Sequence, residues 1–221
     1  MSASGFRPAI TAYLAHENPG IRAALHDQVA GTGITIVGES GRGNEALERI
    51  VDLVPDVALL SVDLPELSGP AVCAALRSEV PSCRVLLLAA RDDDAAYEGL
   101  LAGAYGCYLL NDPPMTLVKA VRGTMRRESL PSPGWARRIL TEYEDLAAHE
   151  DDRIVPAPHL TPTELEVLTR MAESKTPAEI AEMHDVTAHL VRLHAGYAII
   201  KLSRAIADEQ LLQGPASSPR R

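Results

Sequence analysis

Five short apolar segments alternate with longer amphipathic segments over the first 127 residues, and this alternation limits the possible folds more than any other feature. The apolar segments are 9–15, 34–37, 57–60, 85–89 and 107–110. Between them, apolar residues recur at helical spacing in the segments 21–29, 44–53, 69–79, 94–102 and 115–125. The segment 85–89 is apolar at every position, as is typical of a strand covered on both faces. The pattern predicts an α/β fold with a doubly wound, five-stranded parallel sheet.

The composition changes after residue 127. Proline and glycine interrupt the pattern at 131–134, a helical segment covers 135–148, and an acidic run at 150–152 is followed by two prolines. We predict a linker over 128–158 that contains one helix. Its only tryptophan, Trp135, has two open interpretations. It either forms a dimer contact with Ile139 and Leu140, or packs the linker against its own chain.

From His159 onward the pattern is purely helical. The sequences Thr161-Pro162-Thr163-Glu164 and Thr176-Pro177-Ala178-Glu179 each provide a threonine N-cap, a proline at the first helical position and a glutamate three residues after the cap. Thr187 is placed to cap a third helix. Three or four short helices joined by tight turns predict a helix-turn-helix over 159–213. We predict a disordered tail for 214–221.

Bulk composition excludes several classes of protein. The 46% of hydrophobic residues excludes disorder throughout the chain. No segment approaches the roughly 18 apolar residues of a membrane span, and the first eight residues lack a signal-peptide pattern. The three cysteines, Cys73, Cys83 and Cys107, are dispersed, as expected in a reducing compartment. We therefore expect a cytoplasmic protein without a membrane segment.

These motifs resemble the NarL/FixJ class of response regulators, in which a receiver domain precedes a LuxR-type helix-turn-helix. The C-terminal resemblance lies in the pattern L-T-P-x-E-x-E-V-L at 160–168, in 179–182, and in Val191, His194, Lys201 and Leu202. In the receiver it lies in 55–60, 64–69 and 103–104. The resemblance implies a flavodoxin-like receiver at 1–127, with strand order 2-1-3-4-5, and a DNA-binding helix-turn-helix at 159–213.

The resemblance also implies a degenerate phosphorylation pocket. Family receivers bind Mg²⁺ through two acidic residues and the aspartate that takes the phosphoryl group. A Thr or Ser and a lysine respond to that phosphoryl group. The matching positions hold His16 and Glu17 for the acids, Ser61 for the aspartate, Ala89 for the Thr or Ser, and Asn111 or Leu110 for the lysine. A serine cannot form an acyl phosphate, and Glu17, even with Asp63, makes a poor Mg²⁺ site. We expect a receiver that binds no cofactor or metal and that phosphorylation does not switch. Residual phosphorylation would use Asp63 or an outside kinase.

Two motifs suggest other chemistry. Residues 41–46 match the G-x-G-x-x-A pattern of dinucleotide-binding loops, but they follow the second strand, and 43–47 also match the receiver's own loop. His189 and His194 are five residues apart, whereas two zinc ligands on one helix face are four apart. Because no catalytic triad, paired-carboxylate or Walker pattern is evident, we predict no enzyme activity.

The charge of the helix-turn-helix region weighs against tight DNA binding. Residues 159–213 contain five basic and eight acidic residues, a net charge of −3. The residues expected to contact DNA are His189, Arg192, Leu193, Lys201 and Arg204, with Arg192 near base edges and Lys201 at phosphate.

Two functions remain open from the sequence. The first is a phosphorylation-independent, DNA-binding transcription regulator, acting as a homodimer or with another response regulator, with a small-molecule ligand as one substitute for phosphate. The second is a heterodimer partner or anti-regulator of a typical response regulator, acting by protein contact.

Overall fold

The structure, a computed structural model, describes residues 9–91, 93–111, 116–128, 131–148 and 159–213. Five strands form one sheet: β1 (Ile10–Ala15), β2 (Ile34–Ser40), β3 (Val57–Ser61), β4 (Arg84–Ala89) and β5 (Gly106–Leu109). All neighbours are parallel, and the order is β2-β1-β3-β4-β5. Both the predicted α/β class and the predicted strand order are confirmed.

Helices cover both faces of the sheet. On one face, α1 (Pro19–Val29) and α5 (Leu117–Met125) share a hydrophobic cluster with the strands. On the other face, α2 (Gly43–Leu53), α3 (Gly69–Glu79) and α4 (Asp94–Leu101) share a second, larger cluster. Because strand β3 is sandwiched between the two layers, all five of its residues are buried.

The predicted element boundaries differ from the observed ones by one or two residues, except at β2. That strand continues past Val37 to Ser40, since Gly38, Glu39 and Ser40 pair with the end of β1. These residues are not apolar, so hydrophobic patterning could not detect them. Backbone pairing to a neighbouring strand continues regardless of side-chain polarity, which is why β2 was predicted too short.

The C-terminal part is helical, as predicted. Its helices are α6 (Pro133–Ala148), α7 (Pro162–Ala172), α8 (Pro177–Met183) and α9 (Ala188–Gln213). Both predicted capping boxes form, at Thr161 with Glu164 and at Thr176 with Glu179. The last helix is 26 residues long rather than short. No glycine or proline occurs between 197 and 213, so nothing in the sequence ends α9 there.

The C-terminal helices pack directly on the receiver. Trp135 and Ile139 of α6, Leu168 of α7 and Leu202 of α9 belong to the same hydrophobic cluster as Tyr97 of α4. Trp135 is 7% exposed and Ile139 2% exposed. In the structure Trp135 therefore packs within its own chain, which is the second of the two interpretations. In this conformation Trp135 and Ile139 have almost no exposed surface for a dimer contact.

Several expectations fall outside the described residues: the acidic run at 150–152, the prolines that follow it, and the tail at 214–221. Within the described part of the chain, no helix combines the length and apolar character needed to cross a membrane.

The G-x-G-x-x-A pattern at 41–46 is accounted for by packing at Gly43 and needs no bound nucleotide. Its backbone N–H donates to the carbonyl of Pro65 at 3.0 Å. A Cβ at this position would lie 1.7 Å from the carbonyl oxygen of Leu67. The glycine is therefore required for close approach of α2 to the loop that follows β3.

We expect Gly43→Ala to lower the free energy of unfolding by about 1–3 kcal/mol, because the added methyl group overlaps the Leu67 carbonyl. Urea denaturation followed by circular dichroism measures the change. Gly134→Ala is the control, since its nearest neighbour, Ser132 Oγ, would lie at an ordinary 3.7 Å. Equal stability of the two variants would contradict this packing role.

Candidate functional site

The residues that match the phosphorylation pocket lie together at the C-terminal ends of β1, β3 and β4, where open α/β sheets commonly bind ligands. Ser61 Oγ donates a hydrogen bond to Glu17 Oε2 at 3.1 Å. The same carboxylate oxygen lies 3.2 Å from His16 Nδ1. Ser61 is 3% exposed, so its hydroxyl is satisfied by Glu17 rather than by water. The position that holds an aspartate in family receivers is thus a buried, hydrogen-bonded alcohol.

His16 is a neutral group in this pocket. Burial lowers its pKa, against the opposing effect of the Glu17 carboxylate. Its Nδ1 accepts a hydrogen bond from the backbone N–H of Asn18 at 3.1 Å, which leaves the ring proton on Nε2. One carboxylate therefore remains where the family has two acids.

The pocket does not fit the Mg²⁺ ion of family receivers. Mg²⁺ requires several oxygen ligands in octahedral geometry. Here Glu17 is the carboxylate beside Ser61, and Asp63 lies exposed in the turn after β3. Within the described ranges, no three His, Cys, Asp or Glu side chains lie close enough to hold a metal ion.

The lysine position is occupied by a neutral amide. Asn111 Nδ2 donates to the carbonyl of Ala90 at 3.1 Å, next to Ala89. Leu110 instead packs with the hydrophobic cluster beneath α1 and α5. A methyl group at 89 and a neutral amide at 111 therefore stand where family receivers have the hydroxyl and the cation that contact a phosphoryl group.

In the helix-turn-helix, Lys201 is bound to a buried carboxylate. Its Nζ donates to both oxygens of Glu164, at 2.8 and 2.9 Å, and Glu164 also accepts from the Thr161 backbone N–H. The Glu164 side chain is 5% exposed. Burial alone would raise the pKa of Glu164, but the bonds from Lys201 and Thr161 hold it below its ordinary value. Lys201 thus joins α9 to α7, and contact with a DNA phosphate stays a prediction.

Arg192 and His189 are bound to Glu128, the first residue of the predicted linker, which the sequence analysis did not identify. Arg192 Nε donates to Glu128 Oε2 at 2.8 Å, and His189 Nδ1 lies 3.0 Å from Glu128 Oε1. Arg126 pairs with the same carboxylate. We call these four residues the Glu128 cluster.

The Glu128 carboxylate is held ionised by its neighbours. Its side chain is 5% exposed, and burial alone would raise its pKa. Hydrogen bonds and charge from Arg126 and Arg192 outweigh burial and hold the pKa below the ordinary value. An ionised, buried carboxylate that follows α5 therefore binds the first turns of α9.

The other two residues predicted to contact DNA lie elsewhere. Leu193 is half-buried, and Arg204 is exposed beside the receiver near α3. The structure therefore places His189 and Arg192 together at Glu128 and Lys201 at Glu164, so the five residues do not form one open surface of α9. Their role in DNA binding stays a prediction.

Apolar side chains are exposed at the turn between α8 and α9 and further along α9. Met183, Val186 and Leu190, at or near the turn, are 39–52% exposed, and Tyr197 is 37% exposed. Three of the four lie on or directly before α9, where a basic surface would favour DNA. A function proposed for this region has to account for these exposed apolar residues.

No sequence signal could have identified Glu128. Its partners on α9 are 61 and 64 residues away, and nothing local distinguishes it from other acidic residues. Its importance depends on how α9 packs on the receiver, which hydrophobic periodicity does not specify.

Comparison with known proteins identifies relatives over most of the chain. The model of the response regulator receiver domain matches residues 13–122. The transcriptional regulatory protein NarL of Mycobacterium tuberculosis is 35% identical over 182 residues, covering 79% of this chain and 81% of that protein. The DNA-binding transcriptional activator DevR/DosR of the same organism is 29% identical over 195 residues, covering 87% and 88%. The solved receiver domain of M. tuberculosis NarL aligns with a TM-score of 0.51 at 32% identity, covering 54% of this chain and 98% of that domain.

Lys201→Ala should lower the free energy of unfolding by about 1–3 kcal/mol at pH 7, because Glu164 loses its cation while it remains buried. The folded pKa of Glu164 lies below its ordinary value of 4.5. The stabilisation from the pair is therefore present above that pH and is lost as pH falls through the folded pKa. The difference between variant and wild type should shrink on acidification, which urea denaturation across a pH series measures.

Lys175→Ala is the matched control, because Lys175 Nζ is 4.0 Å from the exposed Glu179. Surface pairs of this kind contribute about 0.2–1 kcal/mol. A loss in Lys201→Ala no larger than in the control would show that Lys201 has no structural role.

Proposed function

The chain belongs to the NarL/LuxR family of response regulators, and from that membership we propose that it is a DNA-binding transcription regulator that receiver phosphorylation does not switch. The observation that carries the proposal is the hydrogen bond from Ser61 to Glu17, at the position where family receivers hold the phosphoacceptor aspartate. The relatives named as transcription regulators, NarL and DevR/DosR, support the DNA-binding part.

Phosphoryl transfer to this pocket is chemically disfavoured at each step. A carboxylate is needed to form an acyl phosphate, whereas Ser61 is an alcohol without an adjacent strong base. The charge of the transferred group needs a metal ion or cation, and the positions that match the family's acids and lysine hold His16, Glu17 and the neutral Asn111. A phosphoryl group on Ser61 would lie beside the Glu17 carboxylate.

Control of DNA binding then lies in the contact between receiver and α9. The Arg192 guanidinium is bonded to a carboxylate, so it is not available to a base or a phosphate while Glu128 holds it. DNA binding requires α9 to leave the Glu128 cluster. The balance between the docked and open arrangements is set by these contacts and by any molecule that binds one arrangement better.

Treatment with acetyl phosphate and Mg²⁺ should add no phosphoryl group, because the pocket lacks a carboxylate nucleophile and a fitting metal site. Intact-mass spectrometry measures the adduct, with a receiver that has the usual aspartate as positive control. Ser61→Asp should also remain largely unmodified, since His16 and Asn111 are still present. A stoichiometric adduct on the wild-type chain, at Asp63 or elsewhere in the receiver, would refute the proposal.

Glu128→Gln removes the charged hydrogen-bond acceptor of Arg192 and should weaken the docking of α9 by about 1.5 kcal/mol. Because Arg192 is then released more often, the affinity for duplex DNA should rise roughly tenfold. Fluorescence anisotropy with a labelled random-sequence duplex at low salt is the measurement. Glu48→Gln removes an equal charge from an exposed site on α2 and serves as control. If both variants gain equally, the effect comes from net charge and not from release of α9.

A second candidate function is that of a heterodimer partner or anti-regulator of a typical response regulator. It is favoured by the exposed apolar residues Met183, Val186, Leu190 and Tyr197 and by the net charge of −3 in this region. Gel shifts separate the two candidates, first with the protein alone and then with a typical family member. Failure of Glu128→Gln to bind DNA alone, together with capture or inhibition of the family member, would favour this second function.

A further inference from the structure

A cavity of about 250 Å³ lies between the receiver and α9. Its receiver wall is formed by the end of α3, the start of β4 and the turn 103–105. Its other wall is one face of α9, with Ile200, Ser203 and Arg204. Because each wall belongs to a different part of the chain, the complete cavity exists only while α9 is docked.

Two arginines, one from each wall, give the cavity its charge. Arg77 comes from the last turn of α3 and Arg204 from α9. Among the side chains that the structure describes, which do not include those of 207–213, no carboxylate lines the cavity and no acid pairs with either guanidinium. Arginines elsewhere commonly do, as Arg22 does with Glu39 and Arg170 with Glu166. Two guanidinium groups at one cavity are a local concentration of positive charge in a chain with a net charge of −9.

The rest of the lining is uncharged. Burial raises the pKa of both the Cys73 and Cys83 thiols to about 12, so both are protonated at neutral pH. Leu76, Val85 and Ile200 contribute apolar surface. The cavity therefore combines an apolar interior with positive charge from two guanidinium groups.

Gly103 positions Arg77 against the cavity. Its φ of +110° favours glycine, and a Cβ there would lie 2.7 Å from Arg77 Cδ. The aliphatic part of Arg77 thus crosses the backbone of Gly103 where a side chain would otherwise stand. Packing of this aliphatic part on Gly103 limits the positions that the Arg77 guanidinium can take.

We propose that this cavity binds a small organic carboxylate whose charged group bridges Arg77 of the receiver and Arg204 of α9. A carboxylate matches the planar donor geometry of guanidinium groups. The volume is below the roughly 300–1,000 Å³ of sites for drug-sized ligands, so the ligand is of single-ring size. Since Arg77 and Arg204 line one cavity only in the docked arrangement, a ligand bound to both stabilises docking. Because docked α9 is not available to DNA, the ligand should also lower the affinity for DNA, and this consequence rests on the proposed function.

The test uses the full chain with benzoate as the probe and benzamide as its uncharged counterpart, followed by ligand-observed NMR titration. Benzoate should bind saturably with a dissociation constant of about 1 mM or below, and benzamide at least about fivefold more weakly. Arg77→Gln and Arg204→Gln should each weaken benzoate binding at least fivefold, whereas Arg49→Gln, on the exposed face of α2, should not. Circular dichroism of each variant establishes that it is folded.

Absence of saturable benzoate binding, or binding unaffected by both cavity substitutions, would overturn the assignment. DNA affinity measured with and without benzoate separates the two proposals. Arginine-dependent benzoate binding that leaves DNA affinity unchanged supports the cavity assignment and counts against the proposed function alone.

Discussion

The arrangement of the C-terminal helices on the receiver depends on one buried carboxylate, Glu128, and the guanidinium that α9 brings to it. A buried carboxylate is costly unless it is paired, and Arg126 and Arg192 hold Glu128 ionised at 5% exposure. When α9 leaves, Glu128 regains water, so the net contribution of the cluster to docking is much smaller than its bare Coulomb energy. The apolar cluster that includes Trp135 and Leu202 supplies the remaining attraction.

The proposed function connects the pocket at the strand ends with the Glu128 cluster. At the positions that match the family's phosphoacceptor and lysine, Ser61 is bonded to Glu17 and Asn111 is a neutral amide. If phosphorylation does not switch this receiver, as we propose, the docked state is changed by a molecule that acts on the interface itself. That interface contains the cavity beside α9 and the bond between Arg192 and Glu128.

Local features of the fold could be predicted from the sequence, and long-range contacts could not. The continuous apolar strand β4 and the capping boxes at Thr161 and Thr176 depend on neighbouring residues, and these predictions are confirmed. The polar end of β2 was missed because pairing there depends on the adjacent strand. The roles of Lys201 and Arg192 were assigned from position in a motif, yet their observed partners are carboxylates 37 and 64 residues away. Which cation meets which buried acid is decided by packing between helices, which no local pattern contains.

We propose that the contact between the receiver and α9, and not phosphate, determines whether the C-terminal helices are docked. The radius of gyration of the full chain, measured by small-angle X-ray scattering, distinguishes the docked from the open arrangement. Acetyl phosphate with Mg²⁺ should leave the radius of gyration of the wild-type chain unchanged, whereas Glu128→Gln should increase it. Expansion of the wild-type chain on addition of acetyl phosphate, with no expansion in Glu128→Gln, would show that phosphate and not this contact controls docking.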